Sequence, residues 1–190
     1  MKDIEFMKKY LEENLVKGRY LHTLGVVETA KDLAKRYGVD IKKAEIAALA
    51  HDIAKNLSSE QLLKIIEANN ITLSVDEKNT RELWHSIVGP IVARERFGIV
   101  DEEILSAIRW HTTGKENMSK LDKIIYLADM IEPSRDFSMV EELRNDSKDD
   151  LDKAMLNALT HTIKYLLEKG CLIDVNTVKA RNYLLYNNYK

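Results

Sequence analysis

Six side chains of the kind that bind transition metals are scattered through this 190-residue chain: His22, the adjacent pair His51-Asp52, His85, His111 and Asp129. Only five histidines are present, and four belong to this set. Imidazole nitrogen combined with carboxylate oxygen is a donor mix that suits iron, manganese, zinc or nickel. Each of the six interrupts an otherwise apolar stretch. An ionised carboxylate in such a setting needs a compensating partner, and a cation is the most economical one. Consecutive helical side chains diverge by about 100°, so His51 and Asp52 reach one ion only if it lies beside a helix end. A single histidine on an apolar face is more often a hydrogen-bonded core residue. The set, rather than any member, points to a metal. His161 belongs to no such pattern and reads as ordinary.

The elements that must position these residues are helical. Ile4, Met7, Tyr10, Leu11 and Leu15 follow helical spacing, and Gly18 is expected to end that helix. A second helix is predicted from near Tyr20 to Tyr37, with Gly38 just beyond it. Asp40 caps a third that carries Ala44, Ala47, Ala48 and the His51-Asp52 pair. Ser58 and Gln61 form a capping box. Thr80 is expected to cap a helix containing Trp84 and His85, with Pro90 kinking it or marking its first turn and Gly98 closing it. Asp101 opens a helix that ends at His111. Ser119 and Asp122 form another box, before a helix running to about Ile131, which Pro133 stops. The polar stretch Ser134–Asp136 leads to a short helix, and the 134–148 region as a whole reads as a loop over a site. Asp149 to Lys169 is a longer helix ended by Gly170, and Asp174 starts the last.

No alternating β-branched run, internal repeat or low-complexity linker appears. The expectation is an all-α single domain over residues 1–190, in about nine or ten helices. The metal-ligand core would span about 19–135, with C-terminal helices over 139–190.

Composition limits the function classes. Hydrophobic residues make up 45% and charged residues 32% of the chain, a globular balance. Net charge is -2 and the basic residues are dispersed, so no nucleic-acid backbone face is expected. Cys171 is the only cysteine, which excludes an internal disulfide and a Cys-based zinc site. The charged N-terminus does not resemble a signal peptide, and no apolar run approaches the ~20 residues that span a bilayer. A cytoplasmic protein without membrane or nucleic-acid partners is expected. The apolar C-terminus, with Tyr183, Leu184, Leu185, Tyr186 and Tyr189, reads as core packing or as a homodimer surface. Phosphate-binding glycine loops and the Gly-x-Ser-x-Gly elbow are absent, so any reaction falls to the metal site.

The ordered pattern His…His-Asp…His…His…Asp resembles the HD superfamily of metal-dependent phosphohydrolases. The flanking segments, among them Tyr-Leu-His-Thr-Leu-Gly-Val, Ala-His-Asp-Ile-Ala-Lys, Trp-His-Thr-Thr-Gly and Tyr-Leu-Ala-Asp-Met-Ile-Glu-Pro-Ser-Arg, are similar to one branch, the YqeK-type symmetrical diadenosine tetraphosphate hydrolases. The resemblance implies an iron-dependent enzyme, with one or two ions and with manganese or another divalent metal as substitutes. It implies cleavage of a dinucleoside polyphosphate to two ADP by a metal-activated water. His22, His51, Asp52 and Asp129 would hold the first metal. His85 and His111 would hold a second metal bridged by Asp52, or act on substrate phosphates. Asp52, His85 and His111 are the implied catalytic residues. Lys55, Thr112 and Arg135 are implied phosphate contacts, together with His85, His111 and Asp129, and Gly170 opens a segment that would touch a nucleoside. Read from sequence alone, Lys55 is also simply favourable near a helix C-terminus and Gly170 is first a helix stop. Two other readings remain: an HD-type nucleotidase or signalling-nucleotide phosphohydrolase, and a non-catalytic nucleotide- or metal-binding regulator.

Overall fold

A computed structural model describes residues 1–188. Among them the chain forms eleven α-helices and one 3-10 turn, and no strand. In chain order the helices are α1 (Ile4–Asn14), α2 (Lys17–Tyr37), α3 (Ile41–Ala50), α4 (Ser59–Ala68), α5 (Val75–Asn79), α6 (Trp84–Phe97), α7 (Glu102–Trp110), α8 (Lys120–Ile131), α9 (Val140–Asp149), α10 (Leu151–Glu168) and α11 (Val175–Asn188). The turn, Arg81–Leu83, leads into α6. The all-α expectation holds, and the chain is cut where capping chemistry puts the cuts. Asp3, Asp40, Asp101 and Asp150 each accept backbone N–H bonds at a helix start. Ser58 with Gln61 and Ser119 with Asp122 close full capping boxes.

Helix α8 is the hub. Leu121, Ile124, Ile125, Leu127 and Ala128 are fully buried, and α2, α3, α7, α9 and α10 all pack on it. A helix apolar around most of its circumference has to sit inside. Helices α2 and α3 pack together, α7 lies against α6 and α3, and α10 carries α11.

Several expectations fail in detail. Gly18 does not end α1, which stops at Asn14 with Leu15 in extended conformation; Gly18 lies inside the first turn of α2. A β-carbon there would touch nothing within 4 Å, so the glycine is a tolerated helical residue rather than a stop. Thr80 makes no side-chain cap, because the 3-10 turn intervenes before α6. Helix α6 runs through Pro90 from Trp84 to Phe97. The short helix expected after Ser134–Asp136 is α9, but it occupies most of the 134–148 region, so the reading of that region as a loop fails. Helix α5 is an addition, started by a Ser74–Glu77 capping box. At the C-terminus Leu184 is buried and Tyr183 and Tyr186 are exposed; Tyr189 lies outside the described residues. None of the described helices is long and apolar enough to cross a membrane.

Candidate metal centre

Five helices deliver the six predicted ligands to one place. His22 comes from α2, and His51-Asp52 from the turn that follows α3. His85 comes from the first turn of α6, His111 from the end of α7, and Asp129 from α8. His51 is fully buried, and Asp52, His85, His111 and His22 are buried at 2–8% exposure. The four imidazoles form a continuous series. Ring centroids are 5.6 Å apart from His22 to His51, 5.0 Å from His51 to His111 and 5.2 Å from His111 to His85.

The donors fall into two triads. His22, His51 and Asp129 make one, and Asp52, His85 and His111 the other. Within each, one donor atom per residue lies within 4.8 Å of the others. Asp52 faces both triads. Its Oδ2 is 3.4 Å from His51 Nε2, while its Oδ1 is 3.2 Å from His85 Nε2 and 3.6 Å from His111 Nε2. Asp52 thus belongs to the second triad while its other carboxylate oxygen faces His51 of the first.

Each ring is aimed inward by its other nitrogen. Nδ1 of His51 donates to Ala48 O at 2.6 Å, Nδ1 of His85 to Glu82 O at 2.6 Å, and Nδ1 of His111 to Ile108 O at 2.8 Å. Nδ1 of His22 faces Glu132 Oε1 at 2.9 Å. Hydrogen bonds of this type fix the tautomer and leave Nε2 as a lone pair. The lone pairs then converge. His85 Nε2 and His111 Nε2 stand 3.2 Å apart, a repulsive approach unless a cation or proton lies between them. His22 Nε2, His51 Nε2 and Asp52 Oδ1 are buried without a hydrogen bond. His22 Nε2 lies 3.1 Å from Asp129 Oδ1, but that contact does not satisfy it as a hydrogen bond. Buried, unsatisfied ligand atoms are costly, and divalent metal held by the triads would satisfy them. The residues therefore fit a metal.

The local field agrees. Burial favours the neutral form of Asp52, yet the facing imidazoles of His51, His111 and His85 outweigh it and hold its carboxyl well below the usual range. Burial likewise opposes ionisation of Asp129, and His22 and His51 reverse that effect. Burial opposes a charge on His51, but Asp52 and Asp129 draw one there and raise its pKa. His85 is pushed down to about 4, chiefly by burial. A field that draws a proton to His51 also draws a metal cation, and the two compete.

Two residues that the sequence reading missed complete the centre. Arg19, one helical turn before His22, donates from Nη1 to Asp52 Oδ2 at 2.8 Å. Its only sequence signal is that i, i+3 spacing. Glu132 is buried, faces His22, and accepts from the backbone N–H of Ser134 at 2.7 Å and from its hydroxyl. Glu132 also explains Gly25, where a β-carbon would stand 2.7 Å from Glu132 Oε2.

The predicted phosphate contacts are also near. Lys55 Nζ lies 3.2 Å from His85 Nε2; Nδ1 of that ring is already committed to Glu82. Burial lowers the Lys55 pKa. Arg135 donates from Nε to Asp129 O at 2.8 Å and pairs with the Asp129 carboxylate. Thr112 shares a hydrogen bond with Ser86 at 2.9 Å. A cavity of about 260 Å³ at the centre's mouth is lined by Gly18, Arg19, His22, Glu132 and Arg135 among others. A second, of about 540 Å³, is lined by Glu82, Leu83, Thr112, Cys171, Leu172 and Asp174 among others. Gly170 itself does not line it; at φ 63° it terminates α10, and a β-carbon there would meet nothing within 4 Å. A larger cavity, about 680 Å³, is lined by Lys35, Arg36, Pro133 and Arg144 and contains none of the ligand set.

Comparison with known proteins gives the family. Residues 19–134 match the HD domain model. A Bacillus subtilis protein named bis(5'-nucleosyl)-tetraphosphatase, symmetrical, is 40% identical over 175 residues, covering 92% of this chain and 94% of the relative. A Halalkalibacterium halodurans protein of the same name is 44% identical over 188 residues, covering 97% of this chain and 96% of the relative. A crystal structure from Clostridium acetobutylicum, described as a predicted HD superfamily hydrolase involved in NAD metabolism, superposes with a TM-score of 0.95 at 44% identity, over 98% of this chain and 99% of that one. With its two ligand triads assembled from five helices and joined at the His-Asp pair, this chain belongs to the HD domain family.

Proposed function

We infer that this chain is a symmetrical bis(5'-nucleosyl)-tetraphosphatase, which hydrolyses diadenosine tetraphosphate to two ADP in the cytosol. The observation that carries the reading is the pair of buried donor triads meeting at Asp52, in a chain 40–44% identical over nearly its whole length to enzymes of that name.

His22, His51, Asp52 and Asp129 would hold a divalent metal, with iron as the ion of this reading. The donors of Asp52, His85 and His111 are close enough to hold a second. A metal bound there supplies Lewis acidity, lowering the pKa of water and neutralising phosphoryl charge. In the reaction, the oxygen of water bonds to the phosphorus second from one nucleoside. The bond from that phosphorus to the central bridging oxygen breaks, and the other half leaves as ADP. Arg19, Lys55 and Arg135 form a cationic fringe around the centre that stabilises charge growing on the phosphoryl oxygens. Lys55, kept in a partly buried setting, is held 3.2 Å from His85 Nε2. Where no second ion occupies them, Nε2 of His85 or His111, with its lone pair free because Nδ1 of each is tied to a carbonyl, is placed to take the proton that the attacking water loses and pass it to the leaving phosphate. Asp52 would orient the water or serve as a ligand shared by both triads, and Thr112 would contact a phosphate oxygen.

The test is an anaerobic assay with ferrous iron and diadenosine tetraphosphate, with products separated by chromatography. ADP as sole product is expected. ATP with AMP, or turnover only of a nucleoside monophosphate from a parallel nucleotide panel, would overturn the reading.

A further inference from the structure

A symmetrical dinucleotide carries two nucleosides on one phosphate chain, so its cleavage in the middle needs two spaces for a base within reach of the centre. The cavity beside Thr112 and the Cys171–Asp174 segment supplies one. A separate cavity of about 390 Å³ opens on the Asp129 side, lined by Met130, Arg135, Phe137, His161, Thr162 and Tyr165. The two adjoin, sharing Thr162 and Tyr165 of α10.

The second cavity has the chemistry of a base site. Phe137, just before α9, and His161, on α10, stack with centroids 5.0 Å apart and planes 25° from parallel. Both rings are only partly buried. Tyr165, half exposed, adds a third ring to the lining. Arg135 stands at the inner end: it lines this cavity and the one at Arg19 and His22, and it pairs with Asp129. Flat aromatic surface at one end and a guanidinium towards the metal centre match a base followed by its phosphates.

We propose that this cavity is the subsite for the second nucleoside of the substrate, with its base stacked on the Phe137–His161 platform and its phosphates led past Arg135 to the centre. The proposal rests on the dinucleotide hydrolase reading above. Stacking of this kind accepts any flat base, so the subsite recognises a nucleoside and not adenine in particular.

Kinetics with two substrates test it. Adenosine 5'-tetraphosphate has the same four phosphates as diadenosine tetraphosphate but one nucleoside, which would use the Cys171-side cavity. Phe137→Ala and His161→Ala should raise KM for the dinucleotide roughly tenfold while shifting KM for adenosine tetraphosphate less than about twofold. Phe137→Tyr, which keeps the ring, should restore the wild-type preference. Equal shifts on both substrates, loss of turnover on both, or no shift on either would overturn the subsite. Wild-type protein that releases no ADP from the dinucleotide would instead show that the activity reading had failed, and the subsite with it.

Discussion

At the residue scale, what the sequence displayed was the set of groups that converge in the two triads; what it concealed was the set packed around them. His22, His51, Asp52, His85, His111 and Asp129 were legible because each is polar in an apolar run, and that contrast survives in one dimension. Arg19 was not, because an arginine at a helix start looks like any solvated charge until Asp52, thirty-three residues away, is brought 2.8 Å from it. Arg19→Ala should lower kcat/KM by roughly 10–100-fold, the loss of one charge-assisted bond and of one phosphate partner. Arg19→Lys should recover part of it, and steady-state kinetics on both variants will tell. Gly25 was equally silent. Its lack of a side chain makes room for Glu132, which is pinned by Ser134 and His22. Gly25→Ala should displace Glu132, free the His22 ring and weaken metal affinity by roughly 10–100-fold. A metal titration giving wild-type affinity would remove Glu132 from the role of orienting His22.

At the scale of elements, capping chemistry made most helices readable; α5 was missed and the extent of α9 was underread, each for a physical reason. Helix α5 is a single short helix between α4 and the 3-10 turn, too brief to show an apolar period. Helix α9 is mostly charged, and of its first four residues only Val140 and Leu143 are buried. Its strongest tie is Arg144, whose guanidinium donates to the carbonyls of Ile131, Glu132 and Arg135. No periodicity reports such a bond. Those three carbonyls belong to the segment that carries Glu132 and Arg135, so α9 holds the site's rim from behind. Arg144→Ala should destabilise the fold by about 2 kcal/mol and raise KM for substrate, read by denaturant unfolding and kinetics. Arg144→Lys should not restore KM, because one ammonium cannot fork across three carbonyls.

At the scale of the whole molecule, the metal centre is where α2, α3, α6, α7 and α8 meet, so metal and fold stabilise each other. Saturating a divalent ion at about one hundred times its Kd should add about 2.7 kcal/mol. For a chain of this size that corresponds to a melting temperature roughly 5–11 °C above the chelated protein. Thermal melts with chelator and with restored metal will measure it; an unchanged melting temperature would mean that the ion makes no net contribution to the folded state. The ring bonds add a matter of timing. His51, His85 and His111 take their aim from carbonyls three residues back, within a single turn of chain that closes in about a microsecond or less. His22 takes its aim from Glu132, 110 residues away. Three rings can thus be oriented within their own turn of chain, and the fourth only when α2 has docked on the end of α8. The His22–Glu132 bond is therefore expected to form late, and a spectroscopic probe of His22 during refolding, compared with one of His51, would show whether it does; simultaneous ordering of the two rings would refute it.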